Sequence, residues 1–176
     1  MSLAYDVLVK AVKAIPKEKL TDPLAKALEA DFKTDVLYRV KAQEGDSKLT
    51  LLLNLCQEAL MILGAQQESE EARILKRFLA EQSTTATESG KLTPKPQKEI
   101  TSGSLQSAYD EDATYRKKGN VSQSGYVLEI SETCDKKNPF QLITDYTVAP
   151  NNTSDVEILQ TVSRGYAKTP VVPTCM

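Results

Sequence analysis

The sequence predicts an α+β protein: an N-terminal helical block, a flexible loop, an antiparallel β-hairpin and a following helix. Three observations carry this. Apolar residues recur at steps of three and four from Leu3 to Leu79, the spacing of one helix face. From Tyr126 to Val148 the step becomes two, which sends alternate side chains to opposite faces of a strand. The intervening stretch, 82–107, keeps neither period.

The first helix follows from Leu3, Val7, Leu8, Ala11, Val12 and Ile15, a single stripe that ends at Pro16. Asp22-Pro23 reads as an N-cap with proline in the first turn, and it places Leu24, Ala27 and Leu28 inward. Phe32, Val36, Leu37 and Val40 predict a further helical piece, broken by Gly45-Asp46-Ser47, which supplies the next cap. Leu49, Leu52, Leu53, Cys56, Ala59, Leu60 and Leu63 form a continuous buried face up to Gly64. Ser69 to Glu81 resumes with Ala72, Leu75, Phe78 and Leu79 inward. Residues 1–81 thus read as short helices packed as antiparallel hairpins.

Residues 82–107 read as a linker or mobile loop, rich in Ser, Thr, Pro and Gly and almost without large apolar side chains. In 108–163 two alternating runs, Tyr126–Ser131 and Phe140–Val148, flank the polar turn from Cys134 to Pro139 and pair as an antiparallel hairpin. Ser154-x-x-Glu157 is a capping box opening a helix with Val156, Leu159 and Val162 inward. Residues 164–176 read as an irregular tail.

Composition narrows the chemistry. The 176 residues include no histidine, which removes Ser-His, Cys-His and His-ligated metal schemes. Three separated cysteines, Cys56, Cys134 and Cys175, make neither a disulfide framework nor a cysteine-only zinc site, and point to a reducing cytoplasm. The net charge of −2 comes with no basic stripe: residues 1–82 carry 12 Lys/Arg against 13 Asp/Glu, so no strong nucleic-acid field is expected. The most apolar stretch, Leu49 to Ala65, contains Asn54, Gln57 and Glu58, so no membrane span is expected.

Few residue groups suggest a site. Asp110-Glu111-Asp112 is the densest acidic cluster, either a hard-cation site or a solvated turn. Arg116-Lys117-Lys118, on a turn closed by Gly119-Asn120, is the candidate DNA-contacting group. No phosphate-cradling glycine loop, nucleophile elbow or zinc spacing occurs. The residues by themselves nominate no catalytic, cofactor-binding or metal-ligating side chain.

From Tyr109 onward a resemblance adds to this. Tyr109-Asp110-Glu111-Asp112-Ala113-Thr114-Tyr115, then Lys117-Lys118-Gly119, then Gly125-Tyr126-Val127-Leu128-Glu129-Ile130 resemble a stretch of bacterial insertion-sequence DDE transposases. There a D-P-D-A-R-like segment leads through a basic turn into a G-Y-K-x-H-like strand. The resemblance continues through Ser131-Glu132-Thr133-Cys134-Asp135 and Ile143-Thr144. It ends on Val148-Ala149-Pro150-Asn151-Asn152-Thr153-Ser154-Asp155, which is similar to the family's T-P-A-N-x-x-D signature. It spans about residues 107–160.

The resemblance implies part of a ribonuclease-H-like catalytic domain, in an enzyme that cuts and joins DNA with two divalent metal ions, magnesium or manganese, held by three carboxylates. It places the first carboxylate on a strand before the helical region. The second lies on the strand after the helix that follows the signature, and the third further downstream. None then falls within this chain, and DNA is the partner of the intact enzyme. The family's strand histidine is replaced by Glu129 or Ile130, depending on register, and Asp155, matching the signature aspartate, sits at a helix start where it is expected to cap. The expected function is therefore a truncated transposase, inactive alone, with self-association through an exposed hairpin edge. The alternatives are a small non-enzymatic protein-interaction module and a metal-dependent hydrolase using Asp110, Asp112 and Asp155.

Overall fold

A computed structural model describes residues 1–64, 69–85, 90–134, 137 and 139–166. The chain is α+β and divides into two compact units, Met1–Glu111 and Asp112–Met176.

The first unit is built on three helices. In α1 (Ser2–Ala14) the predicted stripe buries Val7, Leu8, Ala11 and Val12. Helix α4 (Gly45–Gly64) buries Leu52, Leu53, Leu55, Cys56, Ala59 and Leu63, and α5 (Glu70–Gln82) buries Ala72, Ile74, Leu75, Phe78 and Leu79. The three pack pairwise into one core. Removing a side chain such as Leu75, fully buried there, costs about 2–5 kcal/mol through lost transfer energy and the cavity left behind.

Shorter elements close this core, each set by its local sequence. In α2 (Asp22–Lys26) the N-cap is Thr21, not Asp22. The Thr21 hydroxyl is engaged with Glu58 at 2.6 Å instead of the helix, and Pro23 fills the first turn, where its missing N–H is no loss. Helix α3 (Ala30–Lys33) runs into a π-turn, Thr34–Tyr38, in place of one continuous helix. The Arg39 N–H reaches the Thr34 carbonyl at 2.9 Å, a bond one residue longer than an α-turn. Val36 enters the core there, and Tyr5 stacks on Phe32 with ring centroids 6.4 Å apart.

The stretch 82–107 differs locally from an unstructured connector. Strands β1 (Ser83–Thr85) and β2 (Leu92–Pro94) pair antiparallel, Thr84 opposite Thr93, and a 3₁₀ turn follows at Gln97–Glu99. Two isolated leucines explain the difference, because Leu92 and Leu105 are buried against the helices. Ion pairs fasten the returning chain. Arg73 holds Glu111 through both guanidinium nitrogens, at 2.7 and 2.5 Å. Arg77 donates to the carbonyls of Gly103 and Glu111, and Glu81 accepts the Leu105 N–H at 2.7 Å.

The second unit is an antiparallel sheet and a helix. Strand β3 (Thr114–Lys118) pairs with the first part of β4 (Val121–Glu132), and β5 (Ile143–Pro150) pairs with the rest of it. The predicted hairpin is present, with Leu128 opposite Val148 and Ile130 opposite Tyr146, and a bulge falls next to Ser131 and Glu132. Phe140 and Leu142, expected in the second strand, precede it. Helix α6 (Asp155–Tyr166) follows and lies against β5. The tail from residue 167, including Cys175, and Asp135, Lys136 and Asn138 of the expected turn lie outside the described residues, as does the side chain of Val162.

One expectation about facing is corrected. Among the described side chains of α6 the buried one is Ile158, 3% exposed, whereas Val156 and Leu159 face solvent. A helix lying on a single strand covers part of its apolar stripe and leaves the rest in water. The apolar face of the hairpin points outward, as described next.

Candidate functional site

The sheet unit carries nearly all the residues singled out from sequence. The segment read as a basic turn is mostly strand: Arg116, Lys117 and Lys118 form the end of β3, and only Gly119-Asn120 make the turn. Gly119 has φ +61° and no other residue of that turn has positive φ. This is the two-residue hairpin turn with glycine at its first central position, which suits the twist of the flanking strands. Strand alternation then separates the basic residues. Arg116 and Lys118 leave one face and Lys117 the other.

Arg116 is engaged with Asp155 across 3.7 Å. Asp155 is accordingly an ion-pair partner in the first turn of α6, and the cap is Ser154. The Glu157 N–H donates to the Ser154 hydroxyl oxygen at 3.2 Å, and Ser154 donates its own N–H to the Glu157 carboxylate at 3.1 Å. The Ser154 N–H and the Ser154 hydroxyl, which also donates to that carboxylate at 3.0 Å, hold the Glu157 carboxyl below its ordinary range, the N–H contributing most.

Asn151, just after β5, is a buried polar residue of the unit. Its backbone N–H donates to Gly125 at 3.2 Å, continuing the β4–β5 ladder. Its side-chain amide donates to the Gln123 carbonyl and accepts from the Thr114 hydroxyl, both at 2.9 Å. The Thr114 oxygen in turn accepts the Asn152 N–H at 3.3 Å. One side chain thereby joins β3, β4 and the β5–α6 turn. Sequence reasoning placed Asn151 in a signature but gave it no task. The cue available was an asparagine leaving a strand just before a capping box.

Of the acidic candidates, Glu111 is committed to Arg73 and Asp155 to Arg116. Among the described residues no group of three His, Cys, Asp or Glu side chains is arranged to hold a metal ion. Cys56 is sealed in the helical core, its thiol directed at the Ala4 carbonyl at 3.8 Å, and burial pushes its pKa far up, the opposite of a reactive thiolate. Cys134 is exposed.

A cavity of about 280 Å³ beside α4 and α5 is lined by Leu60, Gly64, Ala72, Arg73 and Lys76. Arg73 already spends its guanidinium on Glu111, so the wall offers little chemistry.

The most unusual surface is the hairpin face. Tyr126, Leu128 and Ile130 of β4 are 46, 56 and 51% exposed, and Tyr146 and Val148 of β5 are 69 and 58% exposed. The other face of the same strands presents Val127, Glu129, Ser131, Asp145, Thr147 and Ala149, and it is the half-buried one. Antiparallel sheets with one wet face normally turn the polar side to water. This sheet does the reverse.

No described helix is long and apolar enough to cross a membrane. No protein-family model, curated protein or solved structure matches the chain.

Proposed function

We propose that the chain is a portion of a bacterial insertion-sequence DDE transposase, its sheet unit corresponding to the middle of a ribonuclease-H-like domain, and that alone it performs no DNA chemistry. The observation that carries this reading is the succession of the resembling residues along the fold. Gly125 to Ile130 fall on β4, Ile143 to Pro150 on β5, and Asn151 to Asp155 on the turn into α6. The strand, strand and helix order is what such a domain requires of that stretch.

Inactivity follows from the carboxylates. Two-metal phosphoryl transfer needs acidic groups that hold two ions about 4 Å apart, beside the attacking and the leaving oxygen. Two of the local acids are engaged elsewhere, Glu111 on Arg73 and Asp155 on Arg116. In this reading DNA is the partner of the intact enzyme, and Arg116, Lys117 and Lys118 contribute only weak contacts in the isolated chain.

The test incubates the protein with supercoiled plasmid and magnesium or manganese, beside an Asp110→Ala, Asp112→Ala, Asp155→Ala triple variant. No nicking is expected from either. Metal-dependent nicking by the parent that disappears in the variant would overturn the proposal and favour a metal-dependent hydrolase. The solvent-facing apolar sheet favours a second reading, a non-enzymatic interaction module.

A further inference from the structure

We infer that the outward apolar face of β4 and β5 is a self-association surface, closed in solution by the same face of a second copy of this chain. This places on the face of the hairpin the self-association expected at its edge, and it rests on exposure, area and composition instead of on the transposase reading.

Every residue in the centre of the patch is uncharged: Tyr126, Leu128 and Ile130 on one strand, Tyr146 and Val148 on the other. At their observed exposures they present roughly 550 Å² per copy, at the upper end of the largest apolar patch found on ordinary monomers. Two such faces together hide about 1,100 Å², which clears the approximate threshold of 1,000 Å² for a specific interface. Packed as two sheets about 10 Å apart, they would form the inner layer of a small sandwich.

The charge at the patch end selects an orientation. Glu132 continues the Tyr126, Leu128, Ile130 row at its far end and is exposed. A two-fold arrangement with the β4 strands antiparallel sends the two Glu132 side chains to opposite ends, whereas a parallel one brings like charges together. A second copy also supplies a face equally without charge, so no buried charge is left unpaired.

The test is sedimentation or light scattering over a concentration series reaching about 100 µM, a range suited to the weak end of the interface size classes. A discrete dimer in reversible equilibrium with monomer is expected. Leu128→Arg and Tyr146→Asp change side chains already exposed, so far-ultraviolet circular dichroism should stay constant while dimerisation weakens at least tenfold. Met61→Arg, at an exposed apolar position of α4 in the other compact unit, should leave the dimer intact. A strictly monomeric chain overturns the proposal and assigns the face to a different polypeptide. So does a dimer indifferent to Leu128→Arg, or open-ended polymer in place of a closed dimer. None of these outcomes bears on plasmid nicking, so the functional proposal stands or falls separately.

Discussion

Replacing Asn151 by alanine tests whether one buried amide holds the sheet unit together. The variant loses two side-chain hydrogen bonds, to Thr114 and to the Gln123 carbonyl, each 2.9 Å long. A typical net contribution is about 1 kcal/mol per bond, giving roughly 2 kcal/mol, since Thr114 is half-buried and Gln123 exposed and both can turn to water. That corresponds to an opening equilibrium shifted about thirtyfold. Amide hydrogen exchange read by mass spectrometry resolves where the loss falls. Peptides from β3, β4 and β5 should exchange about thirtyfold faster, while those from α1, α4 and α5, in the other compact unit, stay unchanged. Asn151→Asp keeps an acceptor for Thr114 but removes the donor to Gln123 and places a charge in a buried position, so it should not rescue. Thr114→Val should give a smaller effect, non-additive with Asn151→Ala because both lie in one network. An acceleration below about threefold in the sheet, or an equal one in the helices, would refute the reasoning.

Three further outcomes are expected. Gly119→Ala forces a side chain into φ +61° and should destabilise the β3–β4 turn by about 1–2 kcal/mol, measured as faster exchange in residues 114–125. Glu157 has a folded pKa depressed below its ordinary 4.5, so the capping box contributes stability above that pH and loses it as pH falls through the folded value. Amide chemical shifts of Ser154 and Glu157 should follow this titration, and Glu157→Gln should abolish it. Brief treatment with a thiol-alkylating reagent should modify Cys134 in the folded protein and spare Cys56 until the helical unit is unfolded, as peptide mass spectrometry would report.

How far the fold could be read in advance depended on how many side chains shared each signal. The helices α1, α4 and α5 were legible because six or so apolar residues repeat on each face, and the strands because alternation persists across Tyr126–Ile130 and Thr144–Val148. The capping box of α6 was legible for a different reason, since Ser154 and Glu157 act locally and need no distant partner. What depended on long-range partners was not. Leu92 and Leu105 carry no periodicity, yet both reach the core, and Arg73 and Arg77 look like a solvated helix face until Glu111 and Gly103 return to meet them. Period two revealed which residues share a face of the hairpin but not which face would meet water. Asn151 escaped for the same reason, because its partners Thr114 and Gln123 lie 37 and 28 residues away.

The measurement that bears most directly on the transposase reading is the sequence of the DNA flanking the coding region, translated in every frame. The reading expects a strand bearing an aspartate encoded upstream of the helical unit and another encoded downstream of α6, in this or a neighbouring frame. Flanking DNA that encodes neither strand in any frame would contradict it.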